Sequence, residues 1–374
     1  MANGNMAKKN IFRNDLGFFS KTVFICNIIA ILLLLLSYAA AYINPKIIWP
    51  IAFFGLGYLP ILLLNIGFVC YWLVRKPKYA LLMALPILLG WNLLNQHLGF
   101  RKQEHRTEKL DSTLRIMTFN AHLFTEIDKI PATDVKNDVI SLVKKTNPDI
   151  LCFQEFFSKI KGTKKMTKRI VEEAGFQDYY FEPAMKSEHE AYGQVIFSKF
   201  PIINSGTITK NEYGINRIIF ADVLRNNDTI RVYNVHLRSF GLQTEDKEFI
   251  QNPSHSANEE HATRRVGRKL KYAFEGRSRQ AEALRDHMDS THYPIIVMGD
   301  FNDTPMSYSV NLIRDGLKNT FREKGSGWGV THYEMLPFLQ IDYIFCSQKF
   351  HVERYHVVKE KLSDHYPVWA DIRF

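Results

Sequence analysis

Hydrophobic positions are laid out in two unlike ways along this chain. Up to about residue 95 they form three long runs, 22–43, 48–74 and 79–94, and none contains a charged side chain. One Lys or Arg at the centre of a membrane span costs roughly 2.5–3.5 kcal/mol, so charge-free runs of this length predict three transmembrane helices packed as an all-α bundle. Trp49, Tyr71, Trp72 and Trp91 stand near the ends of the runs, where interfacial aromatic side chains prefer to lie. From residue 114 onward the runs become short and alternate with helical stretches. Strands are predicted at 114–119, 150–153, 194–197, 218–224, 229–236, 295–299, 341–345 and 368–372, and amphipathic helices at 134–145, 164–174 and 278–288. Residues 1–95 therefore read as a membrane domain, 96–113 as a polar juxtamembrane linker, and 114–374 as one α/β domain.

A cleaved signal peptide competes for the first run, because Lys8, Lys9, Arg13 and Lys21 precede it and Ala39-Ala40-Ala41 resembles a cleavage site. Its length and the two runs directly behind it favour a retained helix. The net charge of +10 is uneven: residues 1–113 carry 12 Lys and Arg against 4 Asp and Glu, and the remainder carries 36 against 34. Basic residues around the spans thus account for the alkaline pI, which weakens the inference to a polyanionic partner. Lys8, Lys9, Arg13 and Lys21 fall on one side of the bilayer with Arg75, Lys76 and Lys78, leaving Lys46 in the opposite loop. The positive-inside rule then puts the second half outside the cytoplasm, at a bacterial inner membrane or a plasma membrane, although Arg101, Lys102, Arg106 and Lys109 pull the other way. Four cysteines without metal-ligand spacing read as buried thiols.

The chemistry lies at the ends of the predicted strands. Ile295-Ile-Val-Met-Gly-Asp-Phe-Asn302 carries an apolar strand straight into Asp300 and Asn302, which alternation places on one face. Similar polar tips follow Thr118-Phe-Asn120, Asp149 to Glu155, Arg231 to His236, Gln340-Ile-Asp342 and Leu362-Ser-Asp-His365. Glu155 is a hard oxygen ligand of the kind that Mg²⁺ or Mn²⁺ prefers. Each cluster alone suits a turn or a cap; six in succession point to a hydrolytic site. Residues 241–276 interrupt the pattern and end in Arg264, Arg265, Arg268, Lys269 and Lys271, either a solvated helix face or an arm that meets an anion.

In this order the six clusters resemble the endonuclease/exonuclease/phosphatase superfamily, the DNase I-like fold, across about residues 114–374. The resemblance implies two mixed β-sheets packed as a four-layer α/β/β/α sandwich, with the site where strand ends of both sheets converge. It implies metal-site roles for Asn120, Glu155 and Asp364, and catalytic roles for His236, Asp300, Asn302, Asp342 and His365. Gln194, Arg217 and Arg279 match auxiliary substrate-binding positions, with Arg279-Gln280 resembling a recurrent helix start. Ala121-His122 departs from the acidic or polar groups that nucleases of the family often carry there. The implied activity is Mg²⁺- or Mn²⁺-dependent hydrolysis of a phosphodiester, with a lipid headgroup or another bilayer-proximal ester as the favoured substrate. Nucleic acid is the alternative, a catalytically silent membrane module the third reading, and no protein partner is inferable. His122, Asn234 and Asp303 stand between structural and functional roles, and Tyr192, Trp328 and His332 are candidates to line the pocket.

Overall fold

A computed structural model describes residues 16–102, 108–110, 112–125, 134–162, 165–208, 214–251, 259–333 and 339–374. Lys8, Lys9, Arg13, Arg106 and the first residue of the helix expected at 164 lie outside them.

The N-terminal region consists of α1 (Phe18–Ala40), α2 (Ile51–Leu56), α3 (Tyr58–Arg75), α4 (Pro77–Leu89) and α5 (Trp91–Leu94). Among the described residues, only α1 and α3 are helices long and apolar enough to cross a membrane. The run expected as one span over 48–74 is broken at Gly57, because Pro60 lacks the N–H of a continuing helix and its ring crowds the carbonyl of Leu56. The third expected span is likewise split at Gly90. Its longer piece has 13 residues and contains Pro86, which gives about 20 Å of helix at 1.5 Å per residue against a hydrocarbon core about 30 Å thick. A side chain at Gly90 would meet Tyr38, whose hydroxyl donates to the Pro86 carbonyl. Inside the bundle Trp72 donates to Asn27 and Asn65 donates to the Ala30 carbonyl, so buried polar groups join α1 to α3. Ile25, Leu32, Leu63, Leu64, Leu81 and Leu89 face outward and are exposed.

The expected linker is anchored where it begins. Gln96 and His97 are buried, and β1 (Leu98–Phe100) pairs antiparallel with β11 (Ser326–Trp328) of the second half.

Two six-stranded mixed sheets follow. The first contains β2 (Leu114–Asn120), β3 (Ile150–Lys159), β4 (Asp178–Lys186), β5 (Glu190–Ser198), β13 (His351–Val357) and β14 (Val368–Arg373), ordered β13-β14-β2-β3-β5-β4. The second contains β6 (Ile202–Thr207), β7 (Ile218–Arg225), β8 (Asp228–His236), β9 (Ile295–Asp300), β10 (Leu317–Asn319) and β12 (Asp342–Ser347), ordered β10-β12-β9-β8-β7-β6. Each has one parallel pair, β2–β3 and β8–β9, among antiparallel neighbours.

Alternation sends Ile116, Cys152 and Ile196 from one sheet, and Val232, Ile296 and Met298 from the other, into a shared central core. The outer face of the first sheet is covered by α6 (Val135–Thr146) and α7 (Met166–Ala174), through Val139, Val143 and Ile170. The outer face of the second is covered by α9 (Glu259–Asp289) and α10 (Tyr308–Arg314), through Ala281, Leu284 and Ile313. A sandwich of four layers results.

The helices at 134–145 and 278–288 were expected as separate short elements. The second is instead the end of the 31-residue α9, which takes in the whole basic run. Much of that run is internally paired: Arg264 with Glu260, Arg265 and Lys269 with Asp246 of α8 (Thr244–Gln251), and Lys271 with Glu275.

Both halves meet along one seam. Met306, just past the end of β9, is fully buried in a cluster with Leu34, Ala41, Tyr58, Leu62 and Leu93 of the helical region. A Cβ at Gly55 would stand 2.9 Å from the Met306 carbonyl oxygen, and Thr304 donates to the Gly55 carbonyl. Asn44 and Lys46 bond to Glu282 of α9, and Phe53 meets Phe274 edge to face.

Candidate active site

Three of the polar tips lie in one row. Register aligns His236 of β8 with Asp300 of β9, and Asp300 with Asp342 of β12, so adjacent strands present the three side chains abreast at one edge of the second sheet. Gly299 lets β8 and β9 come together there. Its φ is 148°, and a Cβ on it would stand 2.0 Å from the Val235 carbonyl oxygen. Beyond Asp300 the chain turns through Asn302 at φ 51°. There the Asn302 N–H donates to Asp300 Oδ1 at 2.7 Å, and its amide donates to the Leu237 carbonyl at 3.0 Å.

The first sheet contributes by another route. Asn120 ends β2, whereas Glu155 sits in a β-bulge between Phe153 and Phe156 with φ 49°. The bulge separates the jobs of two neighbours. Gln154 points between the sheets to bond Thr118 and Asn234, while Glu155 is re-aimed at the site. Asn120 Nδ2 donates to Asp300 Oδ2 at 3.0 Å and reaches Glu155 Oε1 at 3.4 Å, and its Oδ1 accepts from the His122 N–H. In this arrangement Asn120 turns its nitrogen toward the carboxylates, so it links them as a donor. His236 Nε2 is 3.7 Å from both Glu155 Oε1 and Asp300 Oδ2. The loop before β14 supplies His365, whose Nδ1 bonds Asp342 Oδ2 at 2.9 Å and whose Nε2 lies 3.8 Å from Asp300.

Burial sets most of the electrostatics. It pushes the Asp300 carboxyl up to about 6, against the pull of His365 and His236. Burial also raises Glu155, with His122 opposing. For His365 burial disfavours the charge, yet Asp342, Asp300 and Asp364 outweigh it and hold its pKa well above the ordinary imidazole value. Burial holds His236 below its ordinary value and, with His365 nearby, takes His332 down to about 4. The outcome is one imidazole held charged, His365, beside His236 and His332 held neutral. Asp300, Asp342 and His365 each offer a ligand atom within 4.8 Å of the others, as do His332, Asp364 and His365. A carboxylate-rich pocket in which burial raises Asp300 and Glu155 fits a divalent cation.

Asn120, Glu155, His236, Asp300, Asn302, Asp342, Asp364 and His365 are thus gathered into one cluster. The auxiliary positions are placed differently. Gln194 is buried and donates to the Arg217 carbonyl, and Arg217 in turn grips Glu182 and the Pro183 and Ala184 carbonyls; both brace the frame behind His236. Arg279 is a correction. It lies in the middle of α9 rather than at a helix start, and its side chain is exposed beside Glu275.

The residue on the inner face is Arg277, fully buried, 2.9 Å from Asp303 and donating to the Asn302 and Arg238 carbonyls. Arg277 was not singled out in the sequence. The apolar spacing Ala273, Phe274, Ala281, Leu284 around it carried the signal. Asn216 was missed as well; its amide donates to His236 Nε2 at 2.9 Å. Among the residues of undecided role, His122 and His332 border the cluster. Asn234 is an inter-sheet strut, Asp303 secures Arg277, Tyr192 packs on Phe157, and Trp328 is exposed on β11.

Residues 20–97 match a family model described as a domain of unknown function, and residues 117–365 match that of the endonuclease/exonuclease/phosphatase family. Among solved structures the chain is similar to an endonuclease/exonuclease/phosphatase from Beutenbergia cavernae DSM 12333, with 21% identity, a TM-score of 0.52, and coverage of 70% of this chain and 72% of that one. It is also similar to an endonuclease/exonuclease/phosphatase family protein from Bacteroides thetaiotaomicron, with 17% identity, a TM-score of 0.50, and coverage of 71% and 98%. No curated protein matches it. The family pattern runs through more than half of the sequence, from the strand before Asn120 to His365, and on that ground the chain belongs to the endonuclease/exonuclease/phosphatase family, hydrolases of phosphoester bonds.

Proposed function

We propose that the chain is a membrane-anchored, divalent-metal-dependent phosphodiesterase acting on a lipid headgroup or another ester held close to the bilayer. The observation that carries this reading is the seam. The loop that leaves Asp300 and Asn302 ends in Met306, buried among residues of the apolar helices, so the strand end that carries Asp300 is tied directly to the bundle. A substrate concentrated in the bilayer meets such a site at high effective concentration. Two long apolar helices with exposed leucine and isoleucine faces support the anchor. Lys21 and Arg75–Lys78 lie at the ends of α1 and α3 remote from the seam, and α4 with α5 brings the chain back to the seam at Leu93, an arrangement that supports an outward-facing catalytic half by the positive-inside rule.

Glu155, with Asn120 and Asp364 beside it, would hold Mg²⁺ or Mn²⁺, which supplies Lewis-acid polarisation of a phosphoryl oxygen when bound. Asp300, ionised, accepts a hydrogen bond from the attacking water and points its lone pair at phosphorus. His365, kept protonated and in fixed orientation by Asp342, donates from Nε2 to an oxygen that gains charge in the transition state. Asn302 holds Asp300 in place through its backbone N–H and its amide, and neutral His236 lines the pocket between Glu155 and Asp300 without adding repulsive charge.

The test uses the full-length protein in detergent and in vesicles. Hydrolysis of bis-p-nitrophenyl phosphate is expected with Mg²⁺ or Mn²⁺ and is lost on chelation. Vesicles of sphingomyelin or phosphatidylinositol phosphates should be turned over faster than plasmid DNA. A DNA preference with a steep decline in salt would replace this reading with a tethered nuclease. Added protease should reach the catalytic half in spheroplasts, and protection would reverse the orientation.

A further inference from the structure

Arg101 and Lys102 run against the charge rule that places the catalytic half outside, and the structure puts Arg101 to a use that the sequence alone does not show. With Arg314 at the end of α10, Lys318 of β10 and Arg322 of α11 (Thr320–Lys324), Arg101 lines a surface cleft of about 320 Å³. Gln348 adds to its polar wall, and among the described residues of the lining Glu323 is the one carboxylate. The cleft is apart from the reaction centre. Lys318 pairs with Cys346 and Leu317 with Ser347, at the end of β12 opposite Asp342.

Four cations therefore face one acid. Among the described residues none of the four forms an ion pair, whereas much of the basic run on α9 is matched by acids. Arg314 is half-buried, and its Nε has no hydrogen-bond partner among the described residues. Burial and the nearby Arg322 both lower its pKa, which is the signature of a cation short of counter-charge. An anion in the cleft relieves that repulsion, and guanidinium groups take phosphate oxygens two at a time.

Position says which anion. Arg322 Nη2 donates to Asn92 Oδ1 of α5 at 2.5 Å, and Tyr42, just past α1, is close enough to act on the charge of Arg314. The cleft thus adjoins the end of the helical bundle. Leu88 and Leu89, one turn before Asn92, are exposed, and Trp91 stacks on Phe100 with ring centroids 5.4 Å apart and both rings exposed. An apolar surface, a pair of aromatic rings and a set of guanidinium groups follow one another along the chain and its contacts. A phospholipid offers their complements in the same order: acyl chain, interfacial ester region and phosphate.

We propose that Arg101, Arg314 and Arg322, with Lys318, bind the phosphate of an anionic phospholipid at the membrane surface. Basic residues on this side of the spans are then explained by a bound headgroup rather than by orientation. The inference rests on the anchored reading of the helices, and its test separates the two.

Full-length protein in detergent, with a chelator present to prevent turnover, is given dioleoylphosphatidylglycerol in excess dioleoylphosphatidylcholine, and bound lipid is read by native mass spectrometry. One equivalent of phosphatidylglycerol is expected to persist against the excess. Arg101→Gln and Arg322→Gln should each weaken it about fivefold, and Arg314→Gln with Arg322→Gln about 25-fold, at an unchanged melting temperature and unchanged Mg²⁺-dependent turnover of bis-p-nitrophenyl phosphate. Equal retention of the two lipids, or undiminished phosphatidylglycerol in folded Arg101→Gln and the folded double variant, overturns the site. Displacement of the lipid by millimolar inorganic phosphate overturns the lipid assignment in favour of a soluble anion. Phosphatidylcholine vesicles washed at alkaline pH read the anchor itself. Protein retained there without a preference for phosphatidylglycerol removes the inference and leaves the anchored reading standing, and a preference in protein that the wash strips away does the reverse.

Discussion

The two sheets supply the same pocket by opposite means. In the second, pairing alone does the work: His236, Asp300 and Asp342 are abreast because β8, β9 and β12 are in register. In the first, Glu155 depends on a bulge and a left-handed φ, and His122, Asp364 and His365 come from loops around Asn120. A row set by register moves only if a whole strand slips, which would turn every core side chain of that strand outward. A residue set by a bulge can be displaced by itself. The second sheet therefore resembles a fixed anvil, whereas Glu155 of the first can shift without moving its strand.

The sharpest way to break the contrast is Gly299→Val. A side chain there collides with the Val235 carbonyl, so the row is expected to come apart with a loss on the order of 4–5 kcal/mol and no measurable hydrolysis. Retention of a wild-type melting curve would show that the register is not what fixes the row. Next is Arg277→Met, which leaves Asp303 buried without its partner beneath Asn302. Roughly 3–5 kcal/mol of stability should go, as read in urea unfolding, with partial recovery in Arg277→Lys.

Asp300→Asn and Glu155→Ala test the two sheets against each other. Each should cost about 10²–10³ in kcat. A Glu155→Ala variant within tenfold of wild type would relegate the first sheet to scaffolding. The pH dependence of cation binding gives a finer measure. Asp300, raised to about 6 by burial, is protonated below that pH and must lose its proton beside the ion. Mg²⁺ affinity by calorimetry should then fall by up to about tenfold per pH unit as pH drops below about 6 and be flat above about 7. A flat profile from pH 5 to 7 would argue that Asp300 does not sense the ion. The smallest effect belongs to Arg279→Ala, whose exposed side chain should leave stability within about 0.5 kcal/mol and kcat within about twofold.

What could be read from the sequence follows the same division. The period of two that marks a strand also says which residues share its face, so β8 and β9 and the polar residues at their ends were legible, and all eight expected strands form. The edge strands β4 and β13 were missed because half-buried residues blur their alternation. Helix α9 was placed too short, since starting it at Ser278 treated Arg277 as a flanking residue rather than part of the inner face. With the helix extended to Glu259, Arg277 falls among Ala273, Phe274 and Ala281. His332 could not be placed by pattern, because isolated bridges rather than a strand bring it to Asp364. The membrane region was read from composition, which measures apolar length but is blind to what Pro60 and Pro86 do to a helix.

Five residues, 301–305, separate Asp300 from Met306, a tether of six Cα–Cα steps at most about 20 Å long even when fully drawn out. Any tilt of α1 or α3 that shifts the Met306 socket has to be absorbed within that short tether or be felt at the nucleophile's post. Under the proposed anchoring, a change in bilayer thickness or lateral pressure would reach the cluster through six links of chain, and lipid composition would then join temperature and pH among the variables that set the rate.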